Sequence, residues 1–519
     1  MSFWKKHPPR APPVIRIERV QSKINTAPPS ISSSTTKTAI ARPAAQSRLA
    51  AGRSTSNLTA RGNATSSKES DATKSSPTKK SRKRSPAYRP VESDSSDNDT
   101  VVTTASAKRL RLSSNEVEDP DRRLRARKPL SEADSKAVIH AADIASLKLG
   151  FKPCFGQDKG GDAKGKDVDV GISLHYPGSS LKEWFVCLGF SSVLLDTDII
   201  SRYDLVYRND CFDPVEEIIG IAKEVGSYFV EEPMADKFLN PETGIIRKME
   251  RARNLKSLDG FKTALLDYNK TVDGLRNDGS FKKVLDAKHS LPESLVIRIM
   301  TQSYDRVVSP KVDLLRKYEN GTNEVYGELK SNLVYKILAE TGLTSNQVFV
   351  DLGSGVANVV LQAALQVGCE SWGCEIMDNA CALADAQKVE FEVRCRLWGI
   401  QPGKSRLEHG DFMANHEIRG ALQRADVVLV NNEVFRPELN VSLVNLFLDL
   451  KEGCKVVSLK SFVAPNRKIT QYNSNDPSNV LEVEKRTYST KSVSWKDEGG
   501  DYYVATKNSK RLLQAGSSE

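Results

Sequence analysis

Val348-Phe349-Val350-Asp351-Leu352-Gly353-Ser354-Gly355-Val356-Ala357-Asn358 carries an apolar strand into a glycine turn and a helix start. Downstream, Trp372-Gly373-Cys374-Glu375 ends a second strand on an acid. Glycine lets the backbone approach a ligand closely, and the bare N–H groups of a helix start receive an anionic or carboxylate-bearing group. An acid at the end of the next strand suits a ribose diol. These features together describe a nucleotide-cofactor site on an open α/β sheet.

The choice of cofactor turns on two residues. A dinucleotide fingerprint needs a third glycine, and that place holds Asn358. Asp351, two residues before Gly353, would repel a pyrophosphate but attract the amino group of S-adenosylmethionine. The methyl donor fits better than a dinucleotide; a tight turn that binds nothing is the bland alternative.

Outward from this stretch, strand and helix signals alternate. Residues 331–340 read as a helix, 348–350 as a strand, 356–367 as a helix, 371–375 as a second strand and 378–397 as a long helix. Residues 405–408 give a third strand, and 426–430 a fourth, buried by its continuous apolar run. Residues 455–458 give another, and 492–495 with 502–506 a terminal hairpin. Helices on both faces of a mostly parallel sheet follow from this order. Upstream, 167–175 and 184–194 suggest short strands, 215–219 and 261–275 amphipathic helices, and 291–315 two helices divided near Pro310.

In such sheets ligands sit beyond the carboxyl ends of the strands. Asp351 and Gly353 follow the first strand, Glu375 ends the second, Asp411-Phe412 follows the third, and Asn431-Asn432 follows the fourth. An adenine ring needs an acceptor for its amino group and a flat apolar surface, which Asp411 and Phe412 supply; an exposed acid beside a core phenylalanine is the other reading. Two consecutive amides after an apolar strand suit a polar task at the sheet edge better than packing. Glu324 to Leu329 could fold over the cofactor as a lid or serve as a helix-entry loop.

The net charge of +10 hides an asymmetry: residues 1–130 hold 27 Lys/Arg against 11 Asp/Glu. This arm lacks a periodic apolar pattern and is expected to be disordered alone. Its basic clusters, Lys79 to Arg84, Lys108 to Arg111 and Arg122 to Lys128, flank an acidic run at 92–99 and read as nuclear-import or nucleic-acid contacts, a solvated tail without a partner being the bland alternative. The eight cysteines form no C-x-x-C pair, no metal-ligand set is evident, and no apolar run reaches transmembrane length.

The ordered motifs Tyr326-Gly327-Glu328, Asp351 to Val356, Gly373-Cys374-Glu375, Gly410-Asp411-Phe412, Val430-Asn431-Asn432, Lys451-Glu452-Gly453, Val493-Ser494-Trp495 and Asp501-Tyr502-Tyr503 resemble the catalytic domain of the Dot-one (disruptor of telomeric silencing) family of histone lysine methyltransferases, in its fungal form. The resemblance covers residues 290–507, more loosely 137–290. It implies a class I (Rossmann-like) S-adenosylmethionine-dependent methyltransferase fold at 321–507, a smaller α+β region at 137–320, a disordered basic arm at 1–136 and a flexible tail at 508–519. The implied activity is non-SET methylation of lysine 79 of nucleosomal histone H3 by a nuclear, monomeric enzyme that contacts other core histones and, through its arm, DNA.

The resemblance also implies residue roles. Tyr326, Gly327, Glu328, Asp351, Gly353, Gly355, Asn358, Glu375, Asp411, Phe412 and Asn431 would bind the donor. Asn431, Phe435, Trp495 and Tyr502 would line the channel that brings the target lysine to it. Three positions depart from the family pattern: Ala357 stands where glycine is frequent, Glu433 where an aromatic is usual, and Leu329 where some members carry a hydroxyl. No histidine is placed to take the lysine proton, and His409 reads as structural. Two other classes remain open, an RNA or DNA methyltransferase and a catalytically weakened chromatin-binding module.

Overall fold

The computed structural model describes residues 119–128, 130–144, 152–155, 172–185, 206–207, 212–315 and 326–512. The clusters at 79–84 and 108–111, the acidic run at 92–99, most of the strands expected at 167–175 and 184–194, and most of the tail lie outside these residues.

The first half is mostly helical. It contains α1 (Glu132–Ala137), α2 (Ala141–Ile144), β1 (Lys152–Pro153), β2 (Ile172–His175), β3 (Lys182–Phe185), β4 (Val206–Tyr207), α3 (Pro214–Glu224), α4 (Met234–Leu239), α5 (Ile245–Asn254), α6 (Leu258–Asn277), α7 (Ser280–Asp286) and α8 (Glu293–Val307). Short antiparallel pairs, β1 with β4 and β2 with β3, are its only sheets among the described residues. The helices follow local signals. Asp213 caps α3 by accepting from the N–H groups of Val215 and Glu216, with Pro214 at the first helical position, where a missing N–H costs nothing.

The second half alternates as its sequence pattern predicts: α9 (Ser331–Thr341), β5 (Val348–Leu352), α10 (Asn358–Gln366), β6 (Glu370–Glu375), α11 (Asp378–Trp398), β7 (Ser405–His409), α12 (His416–Arg424), β8 (Val427–Val430), α13 (Pro437–Leu446), β9 (Lys455–Ser458), β10 (Leu481–Tyr488) and β11 (Gly500–Lys507). One seven-stranded sheet has the order β10-β11-β9-β8-β5-β6-β7. Its five strands from β9 to β7 are parallel, and β11 and β10 run antiparallel at the other edge. Alternation along each strand sorts the core: Val348, Val350 and Leu352 pack with α12 and α13 residues, whereas Phe349, Val427 and Leu429 pack with α9 and α10 residues. Each such side chain contributes about 1.5–3 kcal/mol by leaving water.

The terminal hairpin differs from expectation. β11 pairs with β10, not with residues 492–495, which form a loop with a single bridge from Val493 to Leu329. β10 was hidden because its Glu-Val-Glu-Lys-Arg-Thr run is largely exposed and polar, as an outer strand can be.

The arm also ends earlier than its charge suggests. In the cluster Arg122 to Lys128, Leu124 is buried and Arg122 donates to the backbone carbonyls of Leu365 and Gln366 at the end of α10. Gln401 N–H donates to Leu124 O (2.7 Å), and Ala126 N–H to Gly399 O (2.9 Å). A cation at a helix C-terminus opposes the macrodipole, so this arginine is a cap and not a DNA contact. Removing residues 1–118 should therefore leave the fold intact. Removing 1–130 strips one buried leucine and these bonds, at a cost of about 2–4 kcal/mol, and should lower the Tm relative to the shorter deletion. Thermal melts of the two truncations check this.

The two halves meet through buried charge. Glu183 on β3 accepts from Arg306 on α8 (2.6 Å) and Arg394 on α11 (2.7 Å), and Arg306 also reaches Glu217 on α3 (2.9 Å). Burial alone would raise the Glu183 carboxyl, but the two guanidinium groups hold it well below its usual range. Tyr176 and Gln302 complete the network, with Gln302 Oε1 accepting from Trp398 Nε1 (2.9 Å).

Candidate active site

Beyond the carboxyl ends of β5, β6 and β8 lies a cavity of about 320 Å³, closed on one side by the chain from Tyr326 to Leu329. Every donor-binding residue expected from sequence lines it: Tyr326, Gly327, Glu328, Asp351, Gly353, Gly355, Asn358, Glu375, Asp411, Phe412 and Asn431, together with Phe435 from the channel set.

The floor is the turn after β5. Gly353 (φ +87°) and Gly355 (φ +55°) take left-handed conformations that glycine adopts without cost. A Cβ on Gly355 would stand 3.0 Å from the Tyr326 ring. Ala357, at the start of α10, is also left-handed (φ +69°), a strain of roughly 1–2 kcal/mol that a glycine would not bear. The Glu375 carboxylate ties this turn to the next strand: Oε2 accepts from Gly355 N–H (2.8 Å), and Oε1 from Ile376 and Met377 N–H (3.0 and 2.9 Å). Asp351 is 2% exposed, and burial together with the charge of Glu375 pushes its carboxyl up to about 8. A cation bound beside it would favour the ionised form and oppose that rise.

The roof depends on a carboxylate held by two phenols. Glu328 Oε1 accepts from Tyr326 Oη and from Tyr304 Oη (3.1 Å) on α8. Burial raises the Glu328 carboxyl, and the two hydroxyls oppose that rise. The roof is clasped to residues 492–495: Lys330 N–H donates to Ser492 O, Ser494 N–H to Glu328 O, and Glu328 N–H to Ser494 Oγ, each at 2.9 Å.

Asn431 Nδ2 donates to Gly327 O (3.0 Å), while its Oδ1 is buried without a partner among the described residues. An orphaned acceptor in a cavity wall costs about 1–3 kcal/mol and suits an incoming N–H. Asn432 serves structure instead, bonding Lys460 through N–H and carbonyl and reaching Asn440. Phe412 and Phe435 lie nearly parallel, centroids 6.4 Å apart, and Asp411 Oδ1 accepts from Met413 N–H (2.8 Å). Asn358 Oδ1 accepts from Gln387 Nε2 (2.7 Å), fixing the helix start against α11.

Two channel residues stand apart. Trp495 covers Gly327, where a Cβ would meet its ring at 2.8 Å; it is 37% exposed and lies behind the roof, outside the cavity lining. Tyr502 is fully buried with its hydroxyl donating to Glu340 on α9. Alternation along β11 turns Tyr502 and Val504 into the core with α9, so Tyr502 is a packing residue here and not a channel wall. Glu433 is outside the lining, and its backbone carbonyl accepts from Lys460 Nζ. His409 lies outside it too, paired with Asp385 (3.1 Å). Sequence reasoning missed Ile376, Met377 and Tyr304. The first two directly follow Glu375 and were within reach of the strand-end rule; Tyr304 looks like any aromatic on an amphipathic helix.

The family described as "Histone methylation protein DOT1" matches residues 304–507. The "Histone-lysine N-methyltransferase, H3 lysine-79 specific" of Aspergillus fumigatus is 46% identical over 83% of this chain and 82% of its own length. The chain belongs to the DOT1 family. The relative of the same name from Gibberella zeae, 47% identical over 82% of each protein, agrees. The Yarrowia lipolytica relative is 40% identical over 60% of this chain and 64% of its own length. Among solved structures, an RNA methyltransferase from Salinibacter ruber in complex with S-adenosyl-L-homocysteine overlays 34% of this chain and 92% of its own at 21% identity, with a TM-score of 0.24, too low to bear on function. The DOT1 match begins at Tyr304, so the phenol that holds Glu328 falls inside the family's unit.

Proposed function

We propose that this DOT1 protein transfers methyl groups from S-adenosylmethionine to lysine 79 of histone H3 within the nucleosome. The observation that carries the reading is the cavity floor: two acids, Asp351 and Glu375, line it beside the Gly353–Gly355 turn, a setting that suits a positively charged donor and disfavours a pyrophosphate. The surrounding residues fit the rest of it. Asp351 and the Tyr326–Glu328 roof would hold the amino-acid end, Glu375 the ribose hydroxyls through lone pairs left free by its backbone bonds, and Asp411 with Phe412 the adenine.

When bound, S-adenosylmethionine supplies an electrophilic methyl on a sulfonium. The protein must then orient an uncharged amine and exclude water. Asn431 Oδ1 would accept from the lysine nitrogen beside Phe435, while Trp495 seals the roof over Gly327. No histidine lines the cavity among the described residues. We assign loss of the lysine proton to desolvation, which lowers an ammonium pKa, with water carrying the proton away. The enzyme would act as a monomer in the nucleus, with residues 1–118 contacting DNA and the body contacting other core histones.

Labelled S-adenosylmethionine offered with nucleosomes, free histones and RNA in parallel tests the reading. Label is expected on H3 and chiefly in nucleosomes. Equal labelling of free H3 would remove the nucleosome requirement, and label confined to RNA would overturn the reading.

A further inference from the structure

Residues 119–519 hold 54 Lys/Arg against 57 Asp/Glu, so a basic surface there does not follow from average composition. One exists at the amino end of β7, the opposite end of the sheet from the donor cavity. It is a groove of about 360 Å³ lined by Lys128, Arg396, Lys404 and Arg406, with Glu392 as its one acid. Glu392 is paired with Lys388 (3.6 Å) and Arg396 with Asp134 (2.9 Å). Lys404 also acts on Glu370, but that carboxylate is committed to Arg424 (3.0 Å) and to Trp372 Nε1 (2.7 Å). Lys128, Lys404 and Arg406 are thus left with no ion pair among the described residues.

The backbone that carries these cations is fixed. Gly403 N–H donates to Ala364 O and Lys404 O accepts from Ser371 N–H, both at 2.8 Å; a Cβ on Gly403 would strike Cys369 O at 2.0 Å. The chain before Lys128 is docked alongside by the Leu124–Gln401 and Ala126–Gly399 bonds. Arg406 rests on the Trp372 ring, 5.1 Å from its centroid. β7 is the free edge of the sheet, and Lys404 and Arg406, both exposed, stand two residues apart along its start. That repeat of roughly 6.6 Å sets the two cations in a row along one edge, the arrangement in which neighbouring phosphates of a backbone are neutralised together.

We infer that this groove binds the phosphate backbone of duplex DNA, at a site separate from the donor cavity and from residues 1–118. It stands whether or not lysine 79 is the target. Cations on an edge strand also discourage strand addition, but that role gives DNA binding no dependence on them.

The full-length protein and its Lys128→Gln/Lys404→Gln variant are titrated with a fluorescent duplex across a range of salt. Each lost phosphate contact reduces the slope of log K against log salt by ~0.9, so the variant should be shallower by about 1.8 and bind about 10-fold more weakly at moderate salt. Its Tm and its affinity for S-adenosylmethionine should be unchanged. An unchanged slope overturns the inference. So does a variant that loses poly-glutamate binding while keeping its grip on the duplex, which would mark the groove as a site for acidic peptide.

Discussion

Asp351→Asn is expected to weaken donor binding severely and, in the same molecule, to make the donor-free protein more resistant to heat at pH 8.5. The carboxyl is raised from 3.8 to about 8 by burial and by Glu375. A raised acid contributes its full stability below the unfolded value, and that contribution is lost as pH climbs toward the folded value. Between about pH 4 and 8 the wild-type protein therefore weakens at up to ~1.4 kcal/mol per pH unit from this one group. Asparagine keeps the shape without the charge, so the gain in Tm should be small at pH 5, grow through neutrality and level off above pH 8. Loss of one member of a buried charge pair costs about 2–5 kcal/mol of binding, which predicts a donor affinity lower by about 30-fold to several thousand-fold. Melts across this pH range and titration calorimetry with S-adenosylmethionine check both halves. A variant that binds the donor normally, or melts earlier than wild type at pH 8.5, would refute the assignment.

Glu183→Gln should have the largest effect on folding. The glutamine fits the space but leaves Arg306 and Arg394, both fully buried, facing a neutral amide. Breaking a buried ion cluster by removing one partner costs about 3–5 kcal/mol, a large part of the net stability of a typical domain. The urea midpoint should fall sharply. The wild-type protein should share this weakness in acid: Glu183 is held below its unfolded value, so its contribution is present at neutral pH and fades as pH falls through the folded value. A midpoint within experimental error of wild type would mean that water reaches the cluster.

The sheet was legible because its strands announce themselves locally. Val427 to Val430 is apolar on both faces, as an inner parallel strand must be, and glycine or an acid marks the ends of β5 and β6. The convergence of Asp351, Glu375, Asp411 and Asn431 on one cavity was legible for the same reason, since the rule that ligands sit beyond strand ends needs no knowledge of packing. Features decided by tertiary contact were not legible. Arg122 reads as one more positive charge in a basic run until the end of α10 arrives beneath it. Tyr502 reads as a channel aromatic until β11 is seen to pair with β10 and turn it toward α9. Glu183, Arg306 and Arg394 lie far apart in sequence, and no local pattern marks them as partners.

That separation has a consequence for synthesis. Glu183 and Arg394 are 211 residues apart, so at roughly 5–20 residues per second the ribosome delivers the second about 10–40 s after the first. Trp398, whose indole closes on Gln302, and Gly399, whose backbone allows no Cβ on Gly178 (it would lie 2.0 Å from Gly399 N), arrive later still. Throughout that interval the emerging amino-terminal half carries a carboxylate and an arginine destined for burial, and an apolar surface with nothing yet to cover it. The nascent chain must stay soluble with its core open until α11 is made, so its folding waits on the second half of the sequence.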